Sequence, residues 1–552
     1  MVEVLVYSVG AMSPAAHREL LQYPGIVIRG RSITAPRNAA WLVESVLQDN
    51  SLRYTVVQRN KPLPCPDLAS LPGIREWVPS FLTSYQKEGL AEMYGRSGLL
   101  IWAAGSGKTA GGIVWSLGKG ATVVVTRAPV RRAFGREIER FTSHRAYVVE
   151  DTSPLDQDRL EESMFVVLGW QTLAHHLPAL LEWRPSSVIF DELHVCKSNK
   201  RFAPVPREDG SLAFEARENM AYAAYRLSRA VKWRLGMTAT PIKDRTRDLW
   251  AELDLVEPDA WGRFYSREGV SFTSRYCAAR LNPFGGIDTT GASNLDELWN
   301  RVSLTANHVP HSVTHRDLPA RRRVVTYVPR SDQSAPTGGF AKELAKASKN
   351  GKTAILEVRL AEAASRKRSV VVERVAECVE GGQKVLVFTG RRMDCDKLTD
   401  AIRKEVGEKA RVYSGHGGTS AADRDGIQQA YMADPGPCVL IGTGDAWGEG
   451  VNLQDTDTFL VVMLPFTPGQ VVQWEGRVAR HGQKRPVLIE YMLAEGTVDE
   501  HVGQVLLEKL PAVESVAKDD SVTGFADALQ GFGQSEDDII DSVFSMLEGV
   551  TI

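Results

Sequence analysis

Apolar and polar positions fall into blocks along most of the chain. Short runs that are almost wholly apolar, GLLIW (98–102), ATVVVT (121–126), FVVLGW (165–170) and SVIF (187–190), are separated by stretches with apolar residues at helical spacing. A run apolar at every position is buried on both faces, and such runs alternating with helices predict a parallel sheet. The rhythm lapses between 256 and 380, where loops give way to helical patterns in GFAKELAKAS and TAILEVRLAEAASRKRSVVVERVAECVE. It returns in KVLVFT (384–389), CVLIGT (438–443), FLVVML (459–464) and VLIEYML (487–493). At the other end, VEVLVYSV and YTVVQ read as strands flanking an amphipathic helix at AAWLVESVLQ (39–48), and the proline-rich KPLPCPDLASLPG reads as a linker.

The expected organisation is therefore α/β throughout. Residues 1–75 form a small α/β unit, 76–255 a first parallel-sheet lobe, 256–380 a helical insertion or linker, and 381–516 a second parallel-sheet lobe. Residues 517–552, with Asp519, Asp520, Glu536, Asp537, Asp538 and Asp541, read as a solvated acidic tail with a helical pattern in IIDSVFSMLEGV.

Composition narrows the function classes. A chain of 552 residues is long enough for several domains and needs no staple. With 43% hydrophobic and 24% charged residues it falls among soluble globular proteins. The formal net charge of -2 means that any basic surface is local. The six cysteines are scattered, with no Cys-x-x-Cys pair, which argues against a zinc site or a disulfide framework and fits a reducing, cytoplasmic setting. Glu3 and the absence of a basic residue before Arg18 argue against a signal peptide, and no apolar run is long enough to span a bilayer, so no membrane partner is expected.

Three constellations carry chemistry. In GLLIWAAGSGKTAGG an apolar strand runs into Gly105, Ser106, Gly107, Lys108 and Thr109, and a helical pattern follows. Glycines let backbone N–H groups turn inward around phosphate oxygens, Lys108 can reach the β- and γ-phosphates, and the Thr109 hydroxyl can ligate Mg²⁺. The strict pattern has a glycine five residues before the second one, and here Trp102 stands there. SVIFDELH places Asp191 and Glu192 at a strand's carboxyl end, where doubly wound sheets bind ligands. Asp191 is the candidate Mg²⁺ ligand, and Glu192 the group that orients or deprotonates attacking water. Thr238 and Thr240 follow in WRLGMTATPIKD. For them two readings stand, strand-end capping and a link between nucleotide and motion.

In this order the motifs resemble helicase superfamily two, and within it the Swi/Snf-like DNA translocases of phage or bacterial type, over roughly residues 80–510. LTSYQKEGL resembles the opening motif whose glutamine, here Gln86, reads adenine, and DELH resembles the DEAH box with leucine for alanine. GMTATPIKDRTRDLWAELDLVEP resembles the threonine-rich motif and the helix after it, and VLVFTGRR and GTGDAWGEGVNLQ resemble the fourth and fifth motifs. QWEGRVARHGQ (473–483) matches Q-x-x-G-R-x-x-R-x-G-Q at every fixed position. Three positions depart from the branch: Ser106 replaces leucine, T-A-T replaces T-G-T, and Trp102 replaces an acidic residue.

The resemblance implies two RecA-like lobes in tandem closing on one ATP, with Mg²⁺ as cofactor. Gln473 would lie beside the nucleotide, and Arg477 and Arg480 would reach the γ-phosphate. It implies DNA, duplex or branched, as the partner, held by backbone contacts for which Arg127, Arg131 and Arg132, and more weakly Arg321, Arg322 and Arg323, are candidates. Each of these arginines also reads as an ordinary surface residue. An RNA helicase of the same superfamily and the motor subunit of a restriction or defence complex are the alternatives. A monomer is expected, because both halves of the site lie in one chain. For residues 1–75 a substrate-recognition role and a packing role are equally open.

Overall fold

A computed structural model describes residues 3–103, 105–196, 201–206, 212–216, 219–239, 246–266, 269–281, 287–289, 291–310, 313, 319, 321–329, 346, 352–448, 451–465, 468–479, 483–499 and 502. The chain divides into two compact units, residues 1–103 with 107–314, and residues 104–106 with 315–515.

The first unit opens with a small antiparallel sheet of β1 (Val4–Val9), β2 (Val27–Arg29), β3 (Ser32–Pro36) and β4 (Tyr54–Arg59), in the order β2-β3-β1-β4. One face of this sheet is covered by the helix Ala40–Asp49, whose Leu42, Val43, Val46 and Leu47 are buried with Tyr7, Val9 and Ile33. Then follow β5 (Gly98–Trp102), β6 (Thr122–Thr126), β7 (Ala146–Val148), β8 (Phe165–Gly169) and β9 (Ser187–Asp191). After them come the hairpin of β10 (Phe202–Pro206) and β11 (Leu212–Ala216), β12 (Trp233–Thr238), the short pair β13 (Arg280–Leu281) and β14 (Ile287–Asp288), and β15 (Ala306–Val309). Seven of these strands form one sheet in the order β15-β5-β12-β9-β6-β8-β7, and every pair in it is parallel.

Alternate residues of the same strand enter opposite cores. Leu99, Ile101, Val123, Val125, Val188 and Phe190 lie in one, and Leu100, Trp102, Val124 and Ile189 in the other. Two buried faces are what make these runs apolar at every position. Parallel strands also bring all their carboxyl ends to one edge, and that edge receives the phosphate loop, Asp191 and Thr238 together.

The second unit repeats the plan. Its strands are β16 (Arg321–Val328), β17 (Val385–Thr389), β18 (Arg411–Gly415), β19 (Cys438–Thr443), β20 (Thr458–Val461) and β21 (Val487–Ala494). They form a six-stranded sheet in the order β16-β21-β20-β17-β19-β18, again parallel throughout. The 29-residue helix Lys352–Glu380 and the helix Arg392–Val406 contribute Val371, Val375, Leu398 and Ile402 to one of its cores. The two RecA-like parallel-sheet lobes and the small N-terminal α/β unit are thus present.

The stretch 256–380, read as loops and helices of an insertion or linker, also contributes strands to both sheets. It contains the helices Phe272–Tyr276 and Leu295–Thr305, but also β15, which joins the first sheet, and β16, which joins the second. The GFAKELAKAS pattern lies almost wholly outside the described residues, and the acidic tail 517–552 lies outside them altogether. Among the described residues no helix is long and apolar enough to cross a membrane.

Lys367, buried in the long helix, donates to Asp499 and to the carbonyls of Val462 and Met492. Removing one partner of a buried ion pair strands the other. Asp499→Ala is expected to destabilise the second unit by about 3–5 kcal/mol, seen as a lower denaturant midpoint, and Lys367→Met with Asp499→Leu to recover most of that loss.

Candidate active site

The phosphate loop leaves β5 and enters the helix Lys108–Ser116, with Gly107 as N-cap at φ +78° and Gly105 at φ +77°. Gly107 is required for two reasons. Its left-handed backbone favours glycine, and a Cβ there would lie 2.4 Å from Nε2 of Gln86. Gln86 is buried, and its Oε1 accepts from the Thr83 backbone N–H at 2.9 Å, as the third-residue partner in a capping box at the start of the helix Ser84–Met93. Its amide group therefore lies against the loop. Lys108 Nζ donates to the carbonyls of Trp102 at 2.9 Å and Ala103 at 3.1 Å, folding the ammonium back over the loop. Thr109 is one residue further along the same first turn.

Trp102, which replaces the first glycine of the usual pattern, is fully buried. A Cβ on Gly89 or on Gly111 would come within 2.7 Å of its ring, so glycines on two neighbouring helices make room for the indole. Its Nε1 donates to Asn307 Oδ1 at 2.7 Å, and Tyr85 meets the ring edge-on.

Asp191 ends β9. Thr126, at the end of neighbouring β6, donates to its Oδ2 at 2.6 Å, and Trp170 Nε1 donates to its backbone carbonyl at 2.9 Å. Burial pushes the Asp191 carboxyl up to about 6, with the adjacent Glu192 charge adding to the rise. The Thr126 hydrogen bond and the Lys108 ammonium act in the opposite direction. A hydroxyl and a buried carboxylate are the oxygen donors that suit Mg²⁺ shared with phosphates, so Thr109 and Asp191 fit that cation.

Glu192 sits at φ +48°, a left-handed conformation that is costly for a residue with a side chain. Its Oε2 is 3.4 Å from His194 Nδ1, and His194, itself buried, lies 3.3 Å from the Thr238 hydroxyl at the end of β12. The histidine of DELH therefore bridges the acidic pair and the threonine motif. Thr126, Trp170 and His194 were missed as site residues from sequence. The signal for His194 was present as the fourth residue of the DELH box. Thr240 lies outside the described residues.

In the second unit, Gln473 and Arg477 lie on the helix Pro468–Val478. Trp474 fixes that helix, packing on Phe388 and close over Gly444 and Gly448, and Glu475 anchors it further. The Glu475 carboxylate is fully buried and receives Arg323 through Nε at 2.6 Å and also through Nη2, as well as the Tyr491 hydroxyl. Gln473 is buried, and both of its amide atoms are without a hydrogen-bond partner among the described residues. Arg477 is buried and donates through Nε to the Gly448 carbonyl at 3.0 Å. Arg480 lies outside the described residues.

Two of the candidate DNA-contact arginines are corrected here. Arg323 is held bidentately by Glu475. Arg131 is buried and donates to the carbonyls of Ala128, Val149 and Glu150. Both guanidinium groups serve the fold. Arg132 remains at the surface with an exposed partner, Glu150, at 2.8 Å, Arg127 is partly exposed beyond β6, and Arg322 is exposed.

Residues 367–482 match the family of the helicase conserved C-terminal domain. They run from within the helix Lys352–Glu380 to just beyond the helix that carries Gln473 and Arg477. Among curated proteins, the SWI/SNF-related matrix-associated actin-dependent regulator of chromatin subfamily A-like protein 1 of Xenopus tropicalis is 30% identical over 298 residues, 52% of this chain and 30% of the relative. The human DNA annealing helicase and endonuclease ZRANB3 is 25% identical over 449 residues, 76% of this chain and 39% of the relative. The chain is similar to the SWI/SNF-related helicases. It matches only about a third of the length of these two relatives. A solved Sulfolobus solfataricus SWI2/SNF2 ATPase core in complex with dsDNA aligns at 19% identity and a TM-score of 0.37, covering 85% of this chain and 99% of that one.

The raised Asp191 carboxyl fixes a pH dependence. The folded state holds this proton more tightly than the unfolded chain, so the ionised form opposes folding. That penalty is absent below about pH 4, grows between about pH 4 and 6, and is complete above. Asp191→Asn is expected to raise the stability of the nucleotide-free protein by about 2–3 kcal/mol at pH 8 and by almost nothing at pH 4, measured by denaturant unfolding at both pH values.

Proposed function

We propose that this chain is a DNA-dependent ATPase that translocates on, or remodels, duplex or branched DNA. The observation that carries the reading is that a phosphate loop, a buried carboxylate and a second carboxylate tied to a threonine stand at the carboxyl ends of three neighbouring strands, β5, β9 and β12, in a chain whose residues 367–482 match a helicase C-terminal domain. The relatives named as SWI/SNF-related proteins and as a DNA annealing helicase support DNA over RNA.

In this reading the loop N–H groups of Gly105, Ser106 and Gly107 cradle the phosphates, and Lys108 leaves the Trp102 and Ala103 carbonyls for the β- and γ-phosphate oxygens. Thr109 and Asp191 would hold Mg²⁺, Asp191 as its ionised carboxylate, and the cation would supply neutralisation of phosphate charge. Glu192 orients the attacking water and takes its proton, with His194 and Thr238 fixing its direction. Gln473, Arg477 and Arg480 act on the same nucleotide. A planar, permanently charged guanidinium suits the spread charge of the transition state. Loss of the γ-phosphate then releases the arginines, and the lobes reopen. This is how hydrolysis becomes movement along a strand. Gln86 contributes at the base and at the loop.

ATP hydrolysis measured without nucleic acid and with single-stranded DNA, duplex DNA, forked DNA and RNA tests the proposal. Stimulation by duplex or forked DNA is expected, falling by about 10²–10⁴-fold in Glu192→Gln while Mg²⁺–nucleotide binding persists. Stimulation by RNA alone would move the protein to the RNA helicases, and no hydrolysis under any condition would remove the motor reading.

A further inference from the structure

The N-terminal module is joined to the first sheet by a buried polar network as well as by its linker. Asn38, in the turn after β3, is 1% exposed. Its Nδ2 donates to Glu257 Oε2 at 2.8 Å and to the Thr305 hydroxyl at 3.3 Å, and its Oδ1 accepts from Arg301 Nη2 at 2.8 Å and Nε at 3.2 Å. Arg301 is fully buried and also donates to the Tyr276 hydroxyl at 2.9 Å and the Ala260 carbonyl at 3.2 Å, with its guanidinium 4.5 Å from the Trp261 ring centroid. Glu257 Oε2 accepts from Thr305 at 2.8 Å and from Trp261 Nε1 at 3.3 Å. Burial pushes this carboxyl up, and the hydrogen bonds from Thr305, Asn38 and Trp261 hold it back. Beside the network, Arg37 of the module donates to the Leu304 carbonyl at 2.8 Å.

Arg301, Leu304 and Thr305 belong to the helix Leu295–Thr305, which runs directly into β15. In β15, Asn307 stands opposite Leu100 and Val309 opposite Trp102. Asn307 Oδ1 accepts from Trp102 Nε1 at 2.7 Å, its Nδ2 donates to Glu92 Oε2 at 2.7 Å, and the Val309 carbonyl accepts from Ala103 N at 3.3 Å. Trp102 and Ala103 are the residues whose carbonyls hold Lys108. Asn38 thus reaches out of the module to the last turns of this helix, at Arg301 and Thr305, and Asn307 follows two residues beyond Thr305, where it meets the first residue of the phosphate loop. A buried network whose donors and acceptors are matched has one favoured arrangement, and losing one member exposes the others to unpaired burial.

We propose that Asn38 and Asn307 are positioning residues for the nucleotide: through residues 295–309 the N-terminal module seats Trp102, and with it the phosphate loop, and so sets nucleotide affinity without touching the nucleotide. The proposal rests on the reading of Gly105–Thr109 as the nucleotide site.

The test is calorimetric titration of the full chain with Mg²⁺–ADP, alongside thermal unfolding and the ATP KM and kcat of each variant. Asn307→Ala and Asn38→Ala are each expected to weaken ADP binding about tenfold, and to raise KM more than they lower kcat. Arg37→Ala, which removes a partly exposed contact, should act in the same direction more weakly. The double variant Asn38→Ala/Asn307→Ala should weaken binding by clearly less than the product of the two singles, because both act through one element. Asn307→Asp combined with Glu92→Gln keeps the acceptor for Trp102 and restores the second hydrogen bond in reverse, and should bind like the parent chain. A lower unfolding midpoint with unchanged ADP affinity in Asn38→Ala, or in Arg37→Ala if the first does not fold, would overturn the proposal, as would fully multiplicative effects. Failure of the parent chain to bind Mg²⁺–ADP, or binding undiminished by Lys108→Ala, would strike the nucleotide reading on which it rests.

Discussion

A carboxylate buried at the end of a parallel strand is the constraint around which the first lobe is arranged. Asp191 stands in the sheet interior, where an ionised group is costly without compensation. Its surroundings compensate only in part: one hydroxyl from Thr126 and an ammonium at the distance of Lys108, against the charge of Glu192. The group is left short of positive charge, which is the state a divalent cation relieves. Glu192 next to it is kept in a left-handed conformation, and such strain persists only where neighbours over-determine it. Trp170 on the Asp191 carbonyl and His194 beside the Glu192 carboxylate are those neighbours. The parallel sheet makes this possible, since it alone delivers β5, β6, β9 and β12 to one edge with their carboxyl ends together.

Trp102 shows how a departure from a pattern is absorbed. A glycine at the start of a phosphate loop leaves the backbone free, whereas a buried indole pins it. The pin has two requirements, space and a partner for the N–H. Gly89 and Gly111 provide the space and Asn307 the partner. The loop therefore keeps its freedom at Gly105 and Gly107, where the backbone is left-handed, and gives it up at the residue before the turn. In the sequence Trp102 reads as a defect in the motif, because Asn307 is more than two hundred residues away and nothing local points to it.

The same distinction governs what could be read from the sequence. The buried interior strands were legible as apolar runs, from TVVVT in β6 to VLIEYMLA in β21, except β12, whose WRLGMT carries Arg234 and Gly236 and was read only as the approach to Thr238. The other strands of the two large sheets that escaped, β15, β7, β16 and β18, are their four edges. Edge strands have one open side and tolerate Asn307, His308, Arg322 or Arg411, so neither apolarity nor alternation marks them. Two of these edges lie inside the stretch read as a helical insertion. The residues of the nucleotide site were legible because backbone-cradling glycines, a lysine and an acidic pair stand in fixed local order. Thr126, Trp170, His194 and Asn307 were not, since each acts through a partner brought close only by the fold.

Arginine is where local sequence misleads most. Arg131 and Arg323 stand in basic clusters that look made for a phosphate backbone, yet both are turned inward. The physical reason is that a guanidinium has five donors in a planar fork. It can therefore close a loop of carbonyls, as Arg131 does, or lock a buried carboxylate in two-point contact, as Arg323 does with Glu475. Arg301 does the same for the N-terminal module. Removing any of these three would disturb packing as well as charge, and weakened nucleic-acid binding in such a variant would say little about contact. The informative positions are the arginines that the fold leaves outside its interior, Arg127, Arg132 and Arg322. A phosphate contact at one of them makes binding less salt-dependent when the residue is replaced, by about one unit in the slope of log affinity against log salt, and leaves unfolding unchanged. A residue that serves the fold reverses that pattern, so the slope and the unfolding midpoint together separate the two roles.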